Sequence, residues 1–425
     1  MGLVQQPTTA AAAIALARRD AAGLPVLRRW PDFATKPFQR AFNDFAARHE
    51  IQGLVLVALE RAGPFPEIPA DVAADHRSTL LLLRRRAAMW DLERDLVLDR
   101  LARAGIIPVL LKGAALRLAA YGDPAERQFG DVDVLVPRED LQRAQDALTA
   151  VGYRADHDRT RFLLEHHHHL ILRKESGFLV ELHWHLEPPD SPFRLDPDRF
   201  RRDAVPAPGR PGTFLPSAEH MVLHLATQNV EDGFSLLRRL VDIDRVLATA
   251  PAFSWDRLID DAVGMRVNTP TALSLRLCSV LLGTGLPPAW LPALRVPRPV
   301  QAHLALFDPV DLLVGQRSRK RPAVGRLLTL WCIAGGAARL RALRDLQSGE
   351  PGWLAHQFAP PGGARTGRGW TLLGLLKTVL FQMAMYLTGG IAWATGRRRA
   401  PGFWGATSNG APPAPETARS RVPRA

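Results

Sequence analysis

Residues 106–136 read IIPVLLKGAALRLAAYGDPAERQFGDVDVLV, and this stretch decides the fold. The apolar run 106–111 suits a short buried strand. Lys112-Gly113 ends it, and 114–121 carries helical spacing. Gly122-Asp123-Pro124 is a turn signal, and 130–136 alternates acidic and apolar residues as a strand does. Downstream, Leu141, Ala144, Leu148 and Val151 recur at helical intervals and Gly152 closes the helix. Two further strands are expected over 170–173 and 178–184, joined by a Glu-Ser-Gly turn. Upstream, 78–104 is helical, with Gly105 as its stop. Strands alternating with helices over about 80 residues indicate a small α/β unit.

The chemistry concentrates on four positions in this unit. Asp131 and Asp133 are two apart on an expected strand, so both carboxylates point to one face. Their neighbours Val132, Val134, Leu135 and Val136 imply burial, where two unpaired carboxylates would repel and lose hydration. A divalent cation removes that problem, and hard oxygen ligands suit Mg²⁺, which also binds phosphates. Glu181, inside the apolar strand FLVELHW, is the candidate third carboxylate. Gly113, at the strand-to-helix junction, leaves room for phosphate to approach the N–H groups of a helix N-terminus, and Lys112 adds positive charge.

Strand–Gly–helix followed by a D-x-D strand and a later acidic strand resembles the nucleotidyltransferase superfamily. Lys112, Gly113, Tyr121, Arg127, Gly130, Asp131, Asp133, Gly152, Tyr153, Glu181, His183, Trp184, His224 and Asp242 narrow this. They resemble a family of uncharacterised bacterial nucleotidyltransferases often encoded in natural-product clusters, lasso-peptide clusters among them. The resemblance covers about residues 95–250. It implies an α/β (α+β) nucleotidyltransferase core with a mixed sheet, flanked by N-terminal and C-terminal helical regions. It also implies two Mg²⁺ ions held by Asp131, Asp133 and Glu181, and an NTP as substrate. Lys112 and Gly113 are then expected at the β- and γ-phosphates, with Arg127 neutralising developing charge. Ala114 departs from the wider superfamily, in which Ser or Gly follows the first Gly.

Histidines surround this core. His166 to His169 form a run, and alternation pairs Glu165, His167 and His169 on one side, facing Glu181, His183 and His185 of the next strand. One reading is a zinc site between the strands. The other places these histidines at the mouth of the site, against nucleotide or acceptor. His183, two residues past Glu181, is expected to orient that carboxylate, and His224 and Asp242 are expected as packing or cleft residues on a helical stretch over 218–250.

The remaining features frame this core. The chain has 425 residues and a net charge of +13, and 47% of its residues are apolar, too many for a disordered polymer. Residues 294–425 carry +14, whereas the first 293 are near neutral. The basic third, including Arg317, Arg319, Lys320 and Arg321, suggests an anionic membrane surface or RNA as a partner. Two cysteines, Cys278 and Cys332, lie in apolar runs and fit buried thiols in a reducing compartment. The first residues lack a basic leader, and Gln6 disfavours myristoylation of Gly2, so a cytoplasmic protein is expected. An uncharged stretch over 378–395, preceded by Lys377 and followed by Arg397-Arg398-Arg399, points to a helix packed on the body or lying on a membrane. The expected organisation is a helical region (1–104), the α/β core (105–200), a helical domain (201–350), and a basic apolar helix with a disordered tail (351–425). Three functions compete: NMP transfer to a small-molecule, peptide or protein acceptor; RNA-directed nucleotidyl transfer; and a non-catalytic, membrane-associated assembly factor retaining the fold.

Overall fold

The computed structural model describes residues 5–18, 31–63, 68–155, 167–189, 191–231, 233–234, 236–297, 301 and 332–333. The expected helix and tail over 351–425, the apolar stretch 370–395 and most of the basic third lie outside the described residues. Among the described residues, no helix is long and apolar enough to cross a membrane.

The chain begins with α1 (Gln5–Ala17), α2 (Lys36–Arg48) and α3 (Gln52–Arg61), followed by the long α4 (Ala70–Arg103). Gly105 stops α4 with φ of +71°. Its N–H bonds the Ala102 carbonyl at 2.9 Å and that of Ile106 bonds the Leu101 carbonyl at 3.0 Å, a Schellman closure. The core follows as β1 (Val109–Leu110), α5 (Lys112–Ala120), β2 (Val132–Leu135), α6 (Leu141–Thr149), β3 (Tyr153–Ala155), β4 (His169–Lys174) and β5 (Leu179–His183). β1 is shorter than its apolar run, because Pro108 lacks a ladder donor.

Residues 188–216 are Pro-rich and read as a linker, but 197–215 form regular elements. These are α7 (Pro197–Arg202), β6 (Val205–Pro206) and β7 (Phe214–Leu215). The sheet is therefore seven-stranded and mixed, in the order β3-β4-β5-β2-β1-β7-β6, and extends past the expected core limit at residue 200. β2 pairs parallel with β5, and β1 pairs parallel with β7; the other neighbours are antiparallel. Val132, Val134, Leu170, Leu172, Val180 and Leu182 are all buried.

The helical stretch over 218–250 is two helices, α8 (Ala218–Glu231) and α9 (Leu237–Thr249). The break occurs at Gly233 and Phe234, both with positive φ. α10 (Trp255–Gly264), α11 (Asn268–Leu277), a π-helical turn (Cys278–Leu282) and α12 (Trp290–Ala293) complete the body. α8 packs against α9, α10 and α11, and α9 packs against α5. The N-terminal helices share this core: the Arg245 guanidinium donates to the Ala17 carbonyl at 2.9 Å, and Arg18 donates to that of Leu281 at 3.1 Å. Cys278 and Cys332 are buried free thiols.

Candidate active site

The parallel pairing of β2 with β5 puts Asp133 directly opposite Glu181, and Leu135 opposite His183. The antiparallel pairing of β4 with β5 puts Ile171 opposite Glu181 and His169 opposite His183. Because strand residues alternate faces, Asp133, Glu181, His183 and His169 share one face of the sheet. Asp133 is fully buried, whereas Glu181 is partly open, with a side chain 18% exposed.

Lys112 reaches this face from the first turn of α5. Its φ of +47° is a left-handed conformation uncommon for a residue with a side chain. The preceding Leu111 is held to β2 by a 2.8 Å bond from its N–H to the Asp133 carbonyl. The Lys112 ammonium lies 2.6 Å from Asp133 Oδ1 and 3.2 Å from Glu181 Oε2. In this structure it therefore joins the two carboxylates. Burial works against its charge, but Asp133 and Glu181 outweigh that and hold it protonated.

His183 binds the same two oxygens, with Nε2 at 3.0 Å from Asp133 Oδ1 and 3.1 Å from Glu181 Oε2. Burial lowers its basicity and so does Lys112, but the bonds to the carboxylates prevail and its pKa is raised. Burial resists ionisation of Glu181, yet the His183 bond and Lys112 keep its carboxyl well below the usual range. Asp133 Oδ2 is buried with no hydrogen-bond partner among the described residues.

Asp131 stands one residue before β2. It makes no hydrogen bond or ion pair among the described residues, and its pKa is pushed up to about 6 by burial and then by Asp133. The carboxylate–imidazole group whose ligand atoms lie within 4.8 Å of one another comprises Asp133, Glu181 and His183, and Asp131 is outside it. The unpartnered Asp133 Oδ2 and two converging carboxylates fit a hard divalent cation, with His183 as a nitrogen donor beside them.

Two expected residues, Gly113 and Arg127, have other surroundings than the sequence suggested. A Cβ on Gly113 would lie 2.8 Å from Phe129 Cβ and 3.2 Å from Arg127 Nη1, so a close packing contact, rather than space for phosphate, requires glycine there. Arg127 is buried, its Nε 2.8 Å from Asp242 Oδ1, and the Tyr121 hydroxyl donates to the same oxygen at 2.6 Å. Arg127 and Asp242 thus form a buried clamp between the turn ahead of β2 and α9, not a contact at the carboxylates. Ala114 is fully buried, which suits a methyl group better than a hydroxyl. His224, on α8, is buried and pushed down to about 3 by burial, then by Lys112 and His183, so it lies near the site.

Over residues 38–283 the chain matches the model of a family described as uncharacterised nucleotidyltransferase. The chain belongs to that family. No curated protein and no solved structure matches it. Membership in the uncharacterised nucleotidyltransferase family carries nucleotidyl transfer as the general activity and an NTP as the substrate class. Members of such families generally use divalent metals, and the carboxylate–imidazole group is a place for one.

Sequence reasoning underrated His168. It precedes β4, yet its carbonyl accepts from the N–H groups of Trp184 and His185, which draws it over the end of β5. His166 lies outside the described residues. The usable signal was the tight turn after β4, closed by the Lys174 N–H on the Phe178 carbonyl at 2.9 Å. Counting back from that turn sets His169 opposite His183.

Proposed function

We propose that this protein transfers an NMP group, most simply AMP, from an NTP to a small-molecule, peptide or protein acceptor, with Mg²⁺, and that it serves natural-product biosynthesis. Support comes chiefly from one observation: Asp133 and Glu181 face each other across parallel strands at the N-terminus of α5. Asp131, Asp133 and Glu181 would hold the two ions. When bound, these supply positive charge to the triphosphate and lower the pKa of the attacking hydroxyl.

The chain's own residues supply orientation and protonic control. The amide N–H groups and dipole of α5 offer positive potential to phosphate oxygens. Lys112 would exchange the carboxylates for the triphosphate as substrate enters. His183 fixes the Asp133 and Glu181 oxygens through Nε2. Glu181, the more open carboxylate, is the group for accepting the acceptor's proton. Arg127 keeps the turn ahead of Asp131 in place through Asp242.

The test is pyrophosphate release by the Asp131→Ala/Asp133→Ala double variant with Mg²⁺ and NTP. The reading expects loss of turnover, and wild-type turnover in the variant would refute it. Lys112 also favours a second reading. Its ammonium already neutralises both carboxylates, as it would in a non-catalytic assembly factor retaining the fold. Absence of pyrophosphate release with every NTP and every lysate fraction would favour that alternative.

A further inference from the structure

Three imidazoles meet beside the carboxylates, and the proposed phosphoryl transfer uses one of them, His183. His169 lies opposite His183 in the β4–β5 ladder, and its ring centroid is 4.9 Å from that of His183. His168 stands edge-on to His169, with His168 Nε2 3.0 Å from His169 Nδ1, and its ring centroid is 5.6 Å from that of His183. One ligand nitrogen from each of the three lies within 4.8 Å of the other two.

The nitrogen accounting points to a missing partner. His183 commits Nε2 to Asp133 and Glu181, and its Nδ1 is buried without a partner. Among the described residues, His168 Nδ1 is likewise buried and unpartnered. A buried polar nitrogen without a bond is costly, and two in one cluster call for a ligand. Neutral imidazole is the form that ligates metal. His183 also has the hydrogen bond that metal-binding histidines generally have, from one ring nitrogen to a carboxylate.

We propose that His168, His169 and His183 form a second metal site, for a borderline-soft divalent transition metal of the Zn²⁺ class, separate from the carboxylate site for Mg²⁺. An all-imidazole donor set favours such an ion over Mg²⁺, which prefers oxygen. Three protein donors also leave a coordination position for water or substrate. The two sites meet at His183, whose orientation is set by Asp133 and Glu181. The site stands on these three rings whether or not nucleotidyl transfer is the activity.

Co²⁺ titration of the untagged full chain, freed of metal by chelation, tests this. The expected result is one equivalent bound, with visible absorption typical of nitrogen ligation, and persistence in millimolar Mg²⁺. His168→Gln/His169→Gln should weaken binding about tenfold or more, with thermal unfolding confirming that the variant is folded. The exposed His185→Gln serves as the control and should bind like wild type. Absent absorption, displacement by Mg²⁺, or equal affinity in the double variant would each overturn the site. Pyrophosphate release measured on the same samples separates its failure from failure of the nucleotidyltransferase reading.

Discussion

Asp133 has the most buried carboxylate of the cluster, and its Oδ2 is buried without a partner among the described residues. Replacing it by Asn keeps the shape and removes the charge. We expect transfer to fall about 10³-fold, several kcal/mol of barrier, as read by initial rates at saturating NTP. Lys112 balances two carboxylates, so Lys112→Met leaves them to repel. The variant should lose about 2 kcal/mol of unfolding free energy in chelator, a loss that divalent cation restores more fully than it stabilises wild type. Asp131 has the opposite sign from an ordinary ion-paired acid. Its folded pKa, near 6, lies above the ordinary value of 3.8, so ionisation costs more in the folded state. Stability therefore falls as pH rises from about 4 to 6 and levels off above that. Asp131→Asn should recover up to about 3 kcal/mol at neutral pH in metal-free protein and nothing below the unfolded pKa. Denaturant titrations at pH 3 and pH 7.5 measure the difference.

At the scale of elements, alternation along one strand was legible but the partners across the sheet were not. The D-x-D spacing placed two acids near one strand, whereas β2 starts at Val132 and leaves Asp131 just outside. Parallel pairing with β5 depends on long-range packing, which local periodicity does not encode. The same limit hid β6 and β7, whose two-residue strands sit in a Pro-rich stretch that reads as linker. It also hid the reason for Gly113, since Phe129 approaches from another segment. Gly113→Ala should cost about 1–3 kcal/mol, because overpacking displaces Phe129. The clamp between the β2 approach and α9 should be stronger. Asp242→Ala strands the buried Arg127 charge and should cost about 3–5 kcal/mol. Tyr121→Phe, which removes one hydrogen bond, should cost about 1 kcal/mol. Urea unfolding of both variants tests that ranking.

For the whole molecule, the α/β core with a mixed sheet and helical flanks was readable because helix stops, turns and apolar runs agreed with one another. Gly105 and the turn after β4 show why: each is a local signal that the structure uses as such. The charge split has a different standing. The candidate carboxylates, imidazoles and lysine all lie in the near-neutral first 293 residues, so the +14 of the remainder stands apart from the proposed chemistry. If the basic third binds an anionic partner, binding by the full chain should weaken steeply with salt. The central claim concerns the carboxylates and is tested most directly by label transfer from α-phosphate-labelled NTP into fractionated native lysate with Mg²⁺. Wild type should deposit label on an acceptor with release of pyrophosphate, and Asp133→Asn should deposit almost none. Undiminished labelling by Asp133→Asn, or no labelling by wild type with any NTP in any fraction, would contradict it.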